Sequence, residues 1–217
     1  MQLVNEVAEY YDSLATGYHR RFGYDEVDTA KGFIKIRDLI SETFTGRDVL
    51  EIACGTGYWT SIIAQVANSV LATDLNSSML TEAKNNLSCY SNISYTGADA
   101  YSLKNVTSLF SGAISVLWWC HMPGKKIPVF LNALHSKLEP GARVLHICQT
   151  EDSDSENHEK DENGDTIALR NSEEINYRIV KNIPTEDYLR EMLGSIAKDV
   201  EYSRYPESGL WSIAYSL

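Results

Sequence analysis

Strand-like and helix-like segments alternate along the middle of this chain, and their order constrains the fold more than any other feature. Short apolar runs occur at 48–53, 69–74, 93–99, 112–120 and 142–149. Segments with helical spacing of apolar residues separate several of them, for example 77–87 and 127–138. Because parallel strands need crossover connections, which are usually helices, this order predicts right-handed βαβ units and a mostly parallel sheet.

The flanking regions differ from this middle part. Apolar residues recur at helical spacing in residues 1–45, which predicts helices. Eight of the 16 residues in 150–165 are acidic, and this composition predicts a solvated loop at 151–165. Residues 166–217 are expected to form a β-hairpin, a helix and two final antiparallel strands. We therefore predict one domain that consists of 1–45, a core at 46–150, the acidic loop and 166–217.

Composition and charge exclude several classes of protein. Nineteen basic and 30 acidic residues give a net charge of −11, which disfavours non-specific binding to nucleic acid or anionic membranes. No apolar run approaches the ~18 residues of a membrane span, and the N-terminal residues lack signal-peptide features, so we predict a cytoplasmic protein. The four cysteines are scattered without a CxxC pair and are expected to be reduced; no metal site is predicted.

The stretch VLEIACGTGYW, residues 49–59, places two glycines between a strand and a helix. Gly55 and Gly57 have no Cβ, so the backbone can turn sharply and a ligand can approach it closely. The N–H groups of the following helix favour negative charge at the same place. Asp74 ends the next strand, where a carboxylate can accept hydrogen bonds from ribose hydroxyls, and Asp99 ends the third. Thr60 stands where a dinucleotide fingerprint has its third glycine.

Four segments together, VLEIACGTGYWT, LATDLNSSMLTEAK, YTGADAYSL and LEPGARVLHI, resemble the class I S-adenosylmethionine-dependent methyltransferases. The resemblance covers roughly residues 45–150. The segment YYDSLATGY is also similar to the lid helix of small-molecule members such as the quinone-biosynthesis C-methyltransferases. The resemblance implies an α/β, Rossmann-like fold: a seven-stranded, mostly parallel sheet with an antiparallel C-terminal strand, helices on both faces and an N-terminal helical lid over 1–45.

The resemblance also implies S-adenosyl-L-methionine as the cofactor and assigns its contacts residue by residue. The positions matched to the methionine moiety are Glu51, Ala53, Gly55 and Gly57. The positions matched to the ribose and to the two sides of the adenine are Asp74, Leu75 and Met79. The positions matched to the adenine edge and to the sulfonium are Asp99, Ala100 and Trp118.

The acceptor side offers weaker patterns. His121, in LWWCHMPG, follows the fourth strand and is the candidate general base; the alternative is a loop histidine that bonds to the backbone. His19 on the lid is a second candidate. Trp118 and Trp119 are expected on opposite faces of the strand, so at most one of them lines the pocket. The candidate substrate-binding residues are Tyr11, Tyr18, Trp119 and Arg170, of which the arginine is alternatively an exposed hairpin residue.

The function indicated is methyl transfer to a small-molecule acceptor by in-line displacement, at oxygen or nitrogen rather than carbon. Such an enzyme would act as a monomer or homodimer, without nucleic-acid or membrane partners. A methyltransferase acting on tRNA or protein is one alternative, and a basic patch around Arg20, Arg21, Lys31 and Lys35 would support it. A non-catalytic binder of the cofactor is the other, and a blocked acceptor cavity would support that.

Overall fold

A seven-stranded sheet runs through the centre of the computed structural model, which describes residues 2–21, 23–24, 32–150, 158–172 and 174–217. Its strands are β1 (Asp48–Ile52), β2 (Ser69–Asp74), β3 (Ile93–Gly97), β4 (Phe110–Val116), β5 (Leu138–Gln149), β9 (Lys198–Tyr205) and β10 (Leu210–Ser216). Their order is β3-β2-β1-β4-β5-β10-β9. Strands β1 to β5 pair in parallel, whereas β10 is antiparallel to β5 and β9. The predicted mostly parallel sheet with an antiparallel C-terminal strand is confirmed.

Helices cover both faces of this sheet. Successive residues of a strand point to opposite faces, so Val49 and Leu50 of β1 enter different cores. Val49 packs in a cluster with residues of α3 (Ile34–Phe44) and α4 (Tyr58–Ala64). Leu50 packs in a cluster with residues of α6 (Ile127–His135) and α7 (Glu186–Leu193). On α5 (Ser77–Asn86), Leu80 packs against Ala72 of β2.

The register of the central strands brings three strand ends to one edge of the sheet. Ile52, the last residue of β1, lies opposite Thr73 of β2 and Ser115 of β4. The segments that follow these strands therefore begin side by side at this edge. The strand order also changes direction between β1 and β4, and ligands of open α/β sheets bind at such a point.

The fourth strand is shorter than its apolar sequence indicates. We expected a strand over 112–120, but β4 ends at Val116 because Leu117 has a left-handed φ of 57°. A short 3₁₀ turn, Trp119–His121, follows directly. The prediction that Trp118 and Trp119 lie on opposite faces of a strand is therefore wrong.

The described residues 2–21 form two helices, α1 (Gln2–Leu14) and α2 (Tyr18–Arg21), which are separated at Gly17 with φ of 79°. Helix α1 packs on a second, three-stranded sheet that consists of β6 (His158–Lys160), β7 (Thr166–Ser172) and β8 (Ile175–Val180). Tyr10 and Leu14 of α1 contact the apolar side chains of this small sheet. The sheet thus fixes the N-terminal helix against the rest of the domain.

The acidic segment is only partly a loop. Residues 151–157 lie outside the described residues. In 158–165, by contrast, β6 pairs antiparallel with β7, and a turn follows in which the Gly164 N–H donates to the Asp161 carbonyl at 3.0 Å. The expectation of a loop is wrong for 158–160, which pair with β7 as a strand, whereas an exposed turn follows as expected. None of the described helices has both the length and the apolar character that crossing a membrane requires.

Candidate functional site

The chain turns sharply between β1 and α4, where three residues have left-handed backbone angles. The φ values are 54° at Ala53, 55° at Gly55 and 91° at Gly57. A Cβ on Gly55 would meet no described atom within 4 Å, so this glycine borders open space. A Cβ on Gly57 would lie 2.7 Å from Leu87 Cδ1 and 3.3 Å from Ala83 Cβ, so both the left-handed φ and close packing against the end of α5 favour glycine there. The two glycines of the motif therefore serve different purposes.

Asp74, at the end of β2, faces the same bend. Its Oδ2 accepts a hydrogen bond from the Gly55 N–H at 2.9 Å, and its Oδ1 accepts one from the Asn76 N–H at 2.9 Å. Burial raises the pKa of this carboxyl above its ordinary value, while these backbone N–H groups oppose the shift. A carboxylate has about four lone-pair sites, so two oxygens that each accept one bond can each accept another.

Glu51, at the motif position before the bend, is buried within the protein. The residue is 2% exposed, and its Oε2 has no hydrogen-bond partner among the described residues. Burial raises the pKa of the carboxyl to about 8, the nearby Thr60 hydroxyl lowers it in part, and the Asp74 charge raises it further. A pKa of about 8 keeps this carboxyl predominantly protonated at neutral pH.

A cavity of about 240 Å³ extends from the bend along the carboxyl edge of the sheet. Most of the cofactor positions predicted from the sequence line it: Ala53, Gly55, Asp74, Leu75, Met79, Asp99, Ala100 and Trp118. Glu51 and Gly57 do not line it. Leu75 is 53% exposed although it is apolar, so this end of the cavity presents a carboxylate beside an uncovered hydrophobic side chain. Such a surface suits the sugar and base of a nucleoside.

His121 lies at the opposite end of the cavity and is held from both ring nitrogens. Its Nδ1 is 2.9 Å from the Val180 carbonyl oxygen, and its Nε2 is 2.8 Å from the Tyr11 hydroxyl. A carbonyl can only accept, so Nδ1 carries the proton and Nε2 presents a lone pair to Tyr11. The side chain is 5% exposed yet lines the cavity. A neutral imidazole with an acceptor nitrogen at a cavity wall can take up a proton.

Helix α1 roofs the cavity. Tyr11 and Tyr18 line it, together with Tyr24 just beyond α2. The helix is fastened to the cofactor end by Asn76, whose Nδ2 donates to the Ala8 carbonyl at 2.8 Å. It is fastened to the small sheet by Glu6, whose Oε2 accepts from the Arg178 N–H at 2.9 Å. The side chain of His19, the second candidate base, lies outside the described part of the structure.

A protein-family model described as a methyltransferase domain matches residues 49–141. A curated relative, the malonyl-[acyl-carrier protein] O-methyltransferase of Buchnera aphidicola subsp. Baizongia pistaciae (strain Bp), is 29% identical over 143 residues. These matches support a class I S-adenosylmethionine-dependent methyltransferase, with the methyltransferase domain at residues 49–141. The match covers 64% of this chain and 53% of that relative, so the chain spans about half the length of the curated protein that it resembles.

Solved structures extend the likeness beyond the matched domain. The DhpI–SAH complex superposes with a TM-score of 0.80 at 22% identity. The aligned part covers 99% of this chain and 96% of the DhpI chain. The DhpI–SAM–HEP complex superposes with a TM-score of 0.77 at 22% identity, covering 99% of this chain and 98% of its own. The shared fold therefore includes the N-terminal helices and the small sheet, which lie outside residues 49–141.

Two residues predicted to bind the acceptor do not line the cavity. Trp119 is 1% exposed and packs in the core against His146 and Trp211, because the early end of β4 turns its side chain under the sheet. Arg170 lies on β7, where its Nη1 donates to the Leu169 carbonyl at 3.1 Å. Tyr11, Tyr18 and His121 do line the cavity, so the structure brings together only part of the residues predicted for the acceptor.

Two polar residues of the cavity were missed at the level of sequence. Lys181 follows β8 and Gln149 ends β5, and both line the cavity wall near His121. Lys181 Nζ donates to Gln149 Oε1 at 2.9 Å. A lysine directly after the apolar run of β8 could have indicated a buried charge. Its partner Gln149, however, lies 32 residues away in the sequence, and the burial of Lys181 depends on the position of the small sheet.

Proposed function

We propose that this methyltransferase transfers a methyl group from S-adenosylmethionine to an oxygen atom of a small-molecule acceptor, with nitrogen as the alternative atom. The observation that carries the proposal is a continuous cavity with Gly55 and Asp74 at one end and His121 at the other. This arrangement supports two ligands in one enclosure, with a proton acceptor beside the second. The name of the curated relative, an O-methyltransferase, supports oxygen as the accepting atom.

The residues at the first end fit the cofactor. Asp74 has acceptor capacity for ribose hydroxyls, and Gly55 leaves the space in front of the bend open. Leu75 and Met79 offer apolar contacts for an adenine ring. The face of Trp118 attracts positive charge through its quadrupole, which suits a sulfonium. When bound, S-adenosylmethionine supplies a methyl group on a cationic sulfur, open to in-line displacement. The solved complexes of DhpI name SAH and SAM as that protein's ligands.

His121 and Tyr11 would manage the proton of the acceptor. As the acceptor hydroxyl attacks, its proton passes to the Tyr11 oxygen while the Tyr11 proton passes to His121 Nε2, which is already in hydrogen-bond contact at 2.8 Å. Burial raises the pKa of Tyr11 well above its ordinary value, so Tyr11 relays the proton and does not itself lose it. The Val180 carbonyl orients the ring and stabilises the imidazolium that forms.

The enclosure favours a small acceptor over a macromolecular one. Helix α1 covers the cavity, and the exclusion of water strengthens electrostatic interactions inside it. In the basic patch that would support a tRNA or protein substrate, Lys35 is paired with Glu207 at 2.7 Å, and Lys31 lies outside the described residues. A non-catalytic binder would be expected to have a filled acceptor end, whereas the cavity reaches His121.

The experiment that tests this proposal measures cofactor binding and turnover separately. Calorimetry of the full chain with S-adenosylhomocysteine reports binding at the Gly55–Asp74 end. Release of S-adenosylhomocysteine from S-adenosylmethionine is then measured with hydroxy acids, phenols and amines as acceptors. We expect binding in the first assay and acceptor-dependent release in the second. Binding without release for any acceptor class would favour the non-catalytic alternative, and absence of binding would contradict the proposal.

A further inference from the structure

The cavity wall beside His121 contains a buried positive charge. Lys181 is 9% exposed, and its hydrogen-bond partner in the cavity is the neutral amide oxygen of Gln149 at 2.9 Å. In the described parts of the chain, no carboxylate forms an ion pair with this ammonium. The cavity carboxylates Asp74 and Asp99 are at the cofactor end, where they accept hydrogen bonds from backbone N–H groups.

Such a charge is costly unless something compensates it. An ammonium removed from water loses much of its solvation in a low-dielectric site, and one hydrogen bond to a neutral amide replaces only part of that loss. A hydrogen bond with Cys148 is the main cause that lowers the pKa of the Cys120 thiol, and the Lys181 ammonium contributes to this shift. That thiol lies in the core and does not line the cavity. An anion that enters the cavity would therefore compensate the charge where it is exposed.

The fold holds Lys181 in a fixed relation to His121. Val180, the preceding residue, accepts the bond from His121 Nδ1. Asn182, the following residue, donates its backbone N–H to the Cys120 carbonyl at 2.7 Å and its Nδ2 to the Met122 carbonyl at 2.9 Å. Three hydrogen bonds thus connect residues 180–182 to residues 120–122. A ligand bound to Lys181 would accordingly be held beside the proton acceptor, which is the condition for efficient transfer.

We propose that Lys181 and Gln149 form an anion subsite and that the methyl acceptor is an organic acid, whose carboxylate or phosphonate group binds the Lys181 ammonium. This inference rests on the proposed function, since it names the substrate class of the same site. The ammonium has three donors, one of which is directed to Gln149, so it can donate to an oxyanion without releasing the amide. The Gln149 amide keeps the subsite cationic, because glutamate at that position would neutralise it.

The test uses the full chain saturated with S-adenosylhomocysteine, titrated by calorimetry with three probes. Glutarate carries carboxylates, propylphosphonate carries a phosphonate, and glutaramide is the neutral counterpart of the first. We expect at least one of the two acids to bind about tenfold or more tightly than glutaramide, and the stronger acid identifies the oxyanion. Equal binding of acid and amide, or no binding of either acid, would overturn the inference. Binding of S-adenosylhomocysteine alone is measured first. Its absence would contradict the proposed function itself, whereas its presence without preference for an acid would contradict only the anion subsite.

Two substitutions then test the residues. Lys181→Met keeps the length of the side chain and removes the charge, and we expect a loss of about tenfold or more in affinity for the acid with unchanged binding of S-adenosylhomocysteine. Gln149→Glu keeps the lysine but pairs it internally, so the same loss of acid binding is expected without loss of folding. Lys181→Arg, which retains the charge, should keep part of the affinity. Acid binding that survives both Lys181→Met and Gln149→Glu would overturn the inference.

Discussion

Asp74 Oδ2 accepts a hydrogen bond from the Gly55 N–H at 2.9 Å, which joins the end of β2 to the bend after β1. The carboxylate therefore fixes the shape of the bend before any ligand binds. Because its oxygens keep acceptor capacity, the same group can also receive ribose hydroxyls. A preformed bend lowers the ordering cost of binding.

Asp74→Ala should weaken binding of S-adenosylhomocysteine by about 1–3 kcal/mol, because it removes charge-assisted hydrogen bonds and releases the bend. Calorimetry gives the affinity, and Asp38→Ala is the matched control, since Asp38 is an exposed carboxylate on α3 away from the cavity. Unchanged affinity in Asp74→Ala would refute the assignment of Asp74 to the ribose.

Alanine at the two glycines of the bend should have different effects. At Gly57, a Cβ would meet Leu87 Cδ1 at 2.7 Å with φ at 91°, so we expect a loss of about 2–3 kcal/mol in the free energy of unfolding. At Gly55, a Cβ meets no described atom within 4 Å, so we expect about 1–2 kcal/mol from backbone strain alone. Gly55→Ala should in addition weaken binding of S-adenosylhomocysteine. Urea unfolding measures the loss of stability, and calorimetry measures the loss of ligand binding. Equal free energies of unfolding for the two alanine variants would argue against the packing role of Gly57.

Tyr11→Phe and His121→Asn should each lower kcat by roughly 100-fold or more at an unchanged affinity for S-adenosylhomocysteine, because they interrupt the proton path. The asparagine amide can still donate to the Val180 carbonyl in place of Nδ1, which limits structural damage. Tyr10→Phe serves as control, since Tyr10 is a buried neighbour on α1 that does not line the cavity. Full activity of Tyr11→Phe would exclude the relay and leave His121 to act directly.

Glu51 should make stability fall as pH rises. Burial raises the pKa of its carboxyl from an ordinary 4.5 to about 8, so between these values the folded state binds a proton that the unfolded state has lost. The free energy of unfolding then decreases by up to about 1.4 kcal/mol per pH unit across this window. Glu51→Gln should remove that slope, which urea unfolding at pH 5, 6 and 7 can measure. Identical slopes in the two proteins would mean that the carboxyl is already ionised when folded.

Much of the cofactor end could be predicted from the sequence because it depends on contacts that strand order fixes. Once β1 and β2 are recognised as adjacent parallel strands, the bend and Asp74 must meet at their carboxyl ends. The position of Asp99 follows from the same rule, whereas Leu75, Met79 and Ala100 were implied by the resemblance to the methyltransferases. Gly57 was assigned to the ligand, although its neighbour is Leu87; the sequence shows the need for glycine but not which atoms require it.

The acceptor end depends on where the small sheet lies, and local patterns carry little information about that. The sequence predicts Trp119 as an acceptor-binding residue of the cavity. In the structure, β4 ends early at the left-handed residue Leu117, and the Trp119 ring lies in the core. The sequence around Lys181 is typical of a surface lysine. In the structure, however, hydrogen bonds between residues 180–182 and 120–122 place it beside His121, where it is buried.

The sequence by itself determined the alternation of strands and helices, the bend at Gly55 and the placement of Asp74 against it, because these follow from periodicity and from backbone rules over short distances. Only the tertiary structure decided that Tyr11 meets His121 and that Lys181 meets Gln149, across 110 and 32 residues of chain. Such pairs depend on how α1 and the small sheet pack on the central sheet. That packing is a collective result of many apolar contacts, none of which is visible in a single segment.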